Sequence, residues 1–353
     1  MVKNMSVPMN RWARGCRILF ATIVGLFLST AVSCVANEKP LYTDGDMLNM
    51  ETIGARLPPL DLARAALSSP EIRAYRKFYG LDGGNVRHSI GQYKSNEMAI
   101  AGQVFLPSRP MGTFFLLHGY FDHSATLKNL ITACLEKHFA VALFDLPGHG
   151  LSSGERGAVG DFSEYASILR DFICTYAKHL PKPFYLAAHS TGCAAAYEYL
   201  HHDPPLVFDK IVFLAPLVRH AHWHLSTIGY HLVKPFTDSL PRMHRRNSSD
   251  EPFLEFTRND PLQVDRVSIR FLDALRHWNR RIQRYAAVTQ PVLVIQGTDD
   301  DVVDWKYNLE FLKTKIVGLE IEMVDGAKHQ LVNENQALRQ LVFERLFEFV
   351  AIP

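Results

Sequence analysis

Phe184-Tyr185-Leu186-Ala187-Ala188-His189-Ser190-Thr191-Gly192-Cys193-Ala194-Ala195-Ala196 is the stretch that decides how this chain folds. Phe184 to Ala188 is an apolar run of buried-strand length, and Cys193 to Leu200 is small, then amphipathic, as a helix would be. Only four residues separate them. A chain that reverses from strand to helix so quickly needs a cramped backbone, which holds the apex residue clear of the sheet with its side chain free. That residue is Ser190. The glycine usual two residues before such a serine is replaced by Ala188, the smallest side chain that still lets the two backbones approach.

Working outward, Val86 to Tyr93 and Met98 to Phe105 alternate and predict an antiparallel pair. Thr113–Leu117, Ala140–Phe144, Lys210–Leu214, Val292–Gln296 and Leu319–Val324 read as buried strands. Helices are predicted at Leu127–Lys137, Phe162–His179 and Ala337–Val350. The alternation predicts an α/β fold with a mostly parallel central sheet and helices on both faces. Sites in such sheets gather at the carboxyl ends of the strands. His118, Asp145, Ser190, the Asp299–Asp301 cluster and His329 all fall there.

Residues 219–285 break the rhythm. They are helical in places, rich in arginine and aromatics, and contain no convincing buried strand. They predict a helical cap inserted between two parts of a core, 85–218 and 286–353. The cap holds 12 Lys or Arg against 7 Asp or Glu. Residues 38–84 form a lead-in broken by Pro58-Pro59, with short helices expected at Leu60–Leu67 and Pro70–Tyr79, serving as spacer or buttress.

Residues 1–37 differ in kind. Lys3, Arg11, Arg14 and Arg17 precede the apolar Ile18–Val32, and no acid occurs before Glu38. This describes an export signal or a membrane anchor. Ala31-Val32-Ser33-Cys34 resembles the lipobox of bacterial lipoproteins, which would make Cys34 a lipidated first residue; cleavage after Ala36 is the other processing route. Each reading exports the body of the chain, membrane-associated or else periplasmic or secreted.

The 353 residues, 47% hydrophobic and 21% charged, suffice for one large α/β domain with an insertion or two small domains. A net charge of +2 implies no nucleic-acid partner. Cys134, Cys174 and Cys193 form no C-x-x-C pair, so zinc and thioredoxin-like chemistry lack support, and each reads as a small core residue. His220, His222 and His224 alternate without a carboxylate or thiol at ligand spacing, so neither a metal nor a cofactor is expected.

A serine hydroxyl needs a base to become a nucleophile, and the base needs an acid that fixes its tautomer. Asp299, Asp300, Asp301 and Asp304 follow one strand and His329 follows the last, in the order serine, acid, histidine that this topology requires. The pieces H-G-Y-F-D-H-S from His118, D-L-P-G-H-G-L-S-S-G-E-R-G from Asp145, A-H-S-T-G from Ala188, Q-G-T-D-D-D-V-V-D from Gln296 and G-A-K-H from Gly326 resemble one family. It is the monoacylglycerol lipase and lysophospholipase branch of the α/β-hydrolases, which also contains serine aminopeptidase-like proteins. The resemblance runs from Thr113 to the C-terminus.

It implies Ser190 as nucleophile, His329 as base and Asp300 as acid, with Asp301 the second choice. It also implies an oxyanion hole made by the backbone N–H groups of Tyr120 and Thr191. The expected function is a serine hydrolase that cleaves carboxylic esters of single-chain lipids, lysophospholipid or monoacylglycerol, through an acyl-enzyme. Trp223, Phe236 and His123 are expected at the substrate, with His123 and Asp122 either shaping the entrance or exposed to solvent. Of the cap aromatics Trp223, Tyr230, Phe236, Phe253, Phe256, Phe271 and Trp278, at least half are expected to anchor the cap. Arg242, Arg245, Arg246, Arg280, Arg281 and Arg284 would attract a phosphate headgroup or an anionic membrane surface, or form a solvated face. His118, His149 and His189 are expected to bond loop backbone, Asp145 to pin its turn, and Glu155 and Arg156 to serve a structural salt bridge. Two alternatives stand beside this reading. One is an aminopeptidase of the proline iminopeptidase type, with Glu251 or Glu255 holding the substrate's ammonium. The other is a non-catalytic binding protein of the same fold.

Overall fold

A computed structural model describes residues 50–63, 69–83, 86–202 and 207–351. The expected export or anchor segment over 1–37, with Cys34, lies outside these residues. Among the described residues no helix is long and apolar enough to cross a membrane.

All eight expected core strands form. They are β1 (Arg87–Ser95), β2 (Met98–Leu106), β3 (Thr113–Leu117), β4 (Ala140–Phe144), β5 (Phe184–His189) and β6 (Lys210–Leu214), then, beyond a short ribbon of β7 (Ser239–Pro241) and β8 (Arg266–Ser268), β9 (Val292–Gly297) and β10 (Glu320–Val324). The sheet order is β1-β2-β4-β3-β5-β6-β9-β10, antiparallel at β1/β2 and β2/β4 and parallel elsewhere. Every residue of β3, β4, β5 and β9 is buried, which is why these strands read as continuous apolar runs rather than alternating ones.

The helices are α1 (Met50–Arg56), α2 (Pro70–Tyr79), α3 (Lys128–Glu136), α4 (Phe162–Tyr176), α5 (Thr191–Tyr199), α6 (Trp223–Val233), α7 (Glu251–Asn259), α8 (Ile269–Arg281), α9 (Trp305–Lys315) and α10 (Gln336–Ala351). Capping explains two starts. Ser69 accepts from the Ile72 N–H ahead of Pro70, and Asp161 with Glu164 closes a capping box on α4. The cap comprises α6, α7, α8 and the β7–β8 ribbon. Trp278 on α8 is fully buried, stacks on Phe162 at 4.9 Å and donates its indole N–H to Glu198 Oε2 at 2.8 Å. Phe271 is buried against Tyr120. These two aromatics anchor the cap.

The cap also contains a strand pair, β7–β8, mostly half-exposed and so without the apolar run of a buried strand. Three expectations are corrected. Strand β10, expected to be buried, is mostly exposed or half-buried, because it forms the edge of the sheet. Cys174 is exposed, while Cys134 and Cys193 are buried. No helix starts at Leu60. The Leu60 N–H donates to the Gln92 carbonyl at 2.9 Å and the Gln92 N–H to Pro58 O at 2.8 Å, adding the lead-in to the edge of β1. Pro58 and Pro59 lack N–H groups, so this segment can accept from a strand edge but cannot continue a helix.

This docking depends on Gly91, where a Cβ would lie 2.6 Å from both Cα and N of Leu60. Gly91→Ala is expected to prise 57–60 from the sheet and destabilise the fold by about 1–3 kcal/mol. Thermal denaturation, with limited proteolysis of the lead-in, measures this; an unchanged melt and cleavage pattern would contradict it.

Candidate active site

The site begins with the backbone of Ser190, at φ 51° and ψ −111°. A non-glycine residue there is strained by about 1–3 kcal/mol and persists only where its surroundings fix it. The Ser190 N–H donates to Leu214 O at 2.9 Å, and its carbonyl accepts from Cys193 at 3.0 Å and Leu217 at 3.2 Å. Strand β6 and the start of α5 thus lock the turn. At Gly192 a Cβ would meet Leu117 O at 2.7 Å and His118 O at 2.9 Å, so the N-terminus of α5 abuts the loop that leaves β3.

His329 Nε2 lies 3.0 Å from Ser190 Oγ, and His329 Nδ1 lies 2.8 Å from Asp300 Oδ2. An ionised carboxylate only accepts, so Nδ1 carries the proton and Nε2 turns its lone pair to the serine hydroxyl. Asp300 also accepts from the Val302 N–H at 2.8 Å and Gln296 Nε2 at 3.0 Å. Burial opposes its charge, but His329 and these donors outweigh it and hold the carboxyl at about 2. Burial likewise opposes an imidazolium at His329. Asp300, with Asp122 and Asp301 beyond it, outweighs burial and raises the ring above its ordinary value. Ser190 and His329 are 6% and 4% exposed, so the relay is largely desolvated yet still reachable.

The other acids separate clearly. Asp299 is exposed, Asp301 is exposed beside Arg245 at 3.6 Å, and Asp304 caps α9 through the Tyr307 N–H. His118 donates to Gly119 O and accepts from the Leu146 N–H, and His149 donates to Pro147 O. His189 donates Nε2–H to the His329 carbonyl at 3.1 Å, with Nδ1 at 3.5 Å from Asp122. All three histidines serve backbone. Asp145 pins its turn through the Leu151 N–H and also holds Ser124. Glu155 pairs with Arg270 at 3.7 Å, whereas Arg156 donates to the carbonyls of Gly150 and Leu262.

Two proposed substrate contacts are corrected. Phe236 is 76% exposed, its ring turned largely to solvent. His123 is fully buried rather than at an entrance, as is Asp122 nearly so. His123 donates Nε2–H to Asp260 Oδ2 at 2.8 Å, and Asp260 Oδ1 accepts from the Tyr79 hydroxyl at 2.7 Å. Burial opposes the His123 charge, but Asp260 outweighs it and raises the ring above its usual value; Asp260 is lowered in turn. Trp223 packs between Arg219 and Arg276.

Asp260 and Tyr79 escaped sequence reasoning, and Arg242, expected at a headgroup or in a solvated face, packs inward instead; together they explain how the loop from His118 to Ser124 is held. Tyr120 donates its hydroxyl to Gly157 O at 2.6 Å and accepts from the Ser268 N–H of the cap at 3.0 Å. Arg242 lies over the Phe121 ring at 4.3 Å. With His123–Asp260, these contacts clamp the loop to the cap on several sides. Gln330, also missed, donates to Asp122 at 3.0 Å behind His329. No local motif marks any of these partners.

Residues 108–336 match the family profile described as serine aminopeptidase, S33. Monoglyceride lipase of Mus musculus is 26% identical over 259 residues, 69% of this chain and 83% of its own. Phospholipase YtpA of Bacillus subtilis is 27% identical over 207 residues, 56% of this chain and 78% of its own. The crystal structure of Paleococcus ferrophilus monoacylglycerol lipase gives a TM-score of 0.60 at 22% identity, covering 72% of this chain and 99% of that one. A soluble variant of monoglyceride lipase from Saccharomyces cerevisiae, in complex with a substrate analog, gives 0.64 at 18%, covering 74% and 94%. These two likenesses are of fold, and the fold is that of the α/β-hydrolases.

Asp260→Ala strands a buried imidazole and is expected to cost about 3 kcal/mol or more in urea denaturation. The sign follows from the two shifts. The raised His123 contributes stability that is full below its unfolded value of about 6.5 and fades as pH rises through its folded value. The lowered Asp260 contributes above about 3.9 and fades as pH falls through its folded value. The gap between wild type and variant should therefore peak between these limits, and a pH-independent gap would refute the charged pair.

Proposed function

The chain belongs to the serine aminopeptidase, S33, family of α/β-hydrolases and is a carboxylic-ester hydrolase, and on that premise we propose that it cleaves single-chain lipid esters, monoacylglycerol or lysophospholipid. The observation that carries the proposal is the relay from Asp300 through His329 to Ser190 at 2.8 and 3.0 Å, mounted on a strained elbow.

In this reading Ser190 Oγ attacks the ester carbonyl as His329 Nε2 takes its proton. The imidazolium so formed is stabilised by Asp300. Charge on the carbonyl oxygen is met by the N–H of Thr191, at the positive end of α5, and by that of Tyr120, whose loop abuts α5 near Gly192. The imidazolium then gives its proton to the departing glycerol oxygen, leaving an acyl-enzyme on Ser190. Water, deprotonated by the same nitrogen, releases the fatty acid and restores the serine.

The clamps on the Tyr120 loop support a fixed oxyanion donor, since the side chains of Tyr120 and of the next residue, Phe121, are both held by the cap. The aminopeptidase alternative finds no such support. Glu251 is exposed and paired with Arg246, and Glu255 is exposed, so neither is poised to hold an ammonium group.

Hydrolysis of glyceryl monoesters from acetyl to oleoyl tests the proposal: kcat/KM should rise with acyl length, and a preference for acetyl esters would overturn the lipid reading. The same substrates give the pH dependence. Because His329 must be unprotonated and sits above its ordinary value, the acid limb of kcat/KM should lie above about pH 6.5. Asp300→Asn should move that limb down and lower kcat/KM on the order of 10³-fold or more.

A further inference from the structure

A cavity of about 450 Å³ opens between α6 and α8 and contains none of Ser190, His329 or Asp300. Helix α6 presents Trp223, Thr227 and Tyr230 to it, spaced four and three apart so that they share one face, with Lys234 just beyond. Arg276 enters from α8 and Arg219 from the segment after β6.

The two guanidinium groups flank the same indole. That of Arg276 lies 5.3 Å from the Trp223 ring and 4.3 Å from the Tyr230 ring, and it donates to Thr227 Oγ1. That of Arg219 lies 5.6 Å from Trp223 and 3.6 Å from the Tyr307 ring. Aromatic faces fix both forks but neutralise neither. The cavity's one carboxylate, Asp273, is taken by Lys234 at 2.7 Å and by the Tyr230 hydroxyl. Among the described residues, Arg219 and Arg276 have no carboxylate within ion-pair distance, and Arg276 Nε is buried without a hydrogen-bond partner. Asp273 acts on Arg276 only from beyond contact distance, and half-buried, pre-oriented guanidinium groups with no carboxylate in contact make a site for an anion with several acceptor oxygens.

We infer that this cap cavity binds a phosphate group, either on a lipid headgroup or free in solution. The far side of α6 exposes Leu225, Ile228 and Leu232, at 62%, 62% and 57%, which gives the lipid source a physical basis. Phosphate recognition here is separate from ester cleavage and is measured without it.

The test is isothermal titration of the full chain carrying Ser190→Ala, so that no ester turns over. The ligands are inorganic phosphate, 1-oleoyl lysophosphatidate and, as the phosphate-free control, monooleoylglycerol. A phosphate-bearing ligand should bind, and adding Arg276→Gln should weaken it at least about tenfold while leaving the control unchanged. Equal affinity for inorganic phosphate and lysophosphatidate would identify a free anion; binding of lysophosphatidate alone would identify a headgroup. Should Arg276→Gln fail to fold, Arg280→Gln, exposed at the cavity rim, should weaken binding about threefold. Absence of binding by both phosphate ligands, or affinity untouched by the folded variant, overturns the inference. Neither result bears on turnover at Ser190, so this inference and the ester-hydrolase reading fail separately.

Discussion

Two backbones that nearly touch set the terms for the rest of this molecule. Strand β5 gives way to helix α5 across a single residue with a positive φ, and the glycine two positions on leaves no room for a Cβ beneath Leu117 and His118. That approach brings the first turn of α5 against the loop from β3. It also explains why the strained serine is bonded to the neighbouring strand at Leu214. The sheet order supplies the rest. With β3 on one side of β5 and β6, β9 and β10 on the other, the loops bearing Tyr120, Asp300 and His329 converge on one edge.

Charge is distributed around that edge in a consistent way. His329 has Asp300 within hydrogen-bond reach and Asp122 further off, itself held by Gln330 and His189. The negative charge behind the ring favours the imidazolium that a serine's proton would create. Asp122 stays ionised despite burial because His189, Gln330 and Arg242 outweigh desolvation. The cap thus takes part in the electrostatics of the core as well as covering it. Through Ser268, Arg242 and Asp260 it also fixes the loop that follows β3, and through Tyr79 the lead-in joins the same arrangement.

Much of this was legible in the chain itself. Strands buried on both faces announce themselves as apolar runs; Ser190 and Asp300 follow two of them, β5 and β9, while His329 follows the edge strand β10. The backbone-serving histidines were legible for the same local reason, since each flanks a tight turn. What was not legible depends on distant partners. His123 reads as a polar loop residue, and only Asp260, 137 positions away, and Tyr79, 181 positions from Asp260, make its burial affordable. Leu60 sits in a helix-like pattern, yet two prolines and the bare backbone of Gly91 draw it into the sheet edge. Cys174 lies on α4 beside buried neighbours, but its own side chain turns to solvent. Arginine runs carried the least information. Arg281 binds Asp161 and Glu198 as a structural tie, while Arg219 and Arg276, outside the obvious clusters, are held by aromatic faces instead.

The account is tested most directly by intact-mass and peptide analysis after treatment with a fluorophosphonate, which reacts only with a serine whose proton can be withdrawn. A single adduct on the peptide carrying Ser190, slowed by orders of magnitude in His329→Ala, is the predicted result. No adduct in the wild type, or labelling of Ser190 at the same rate without His329, would contradict it.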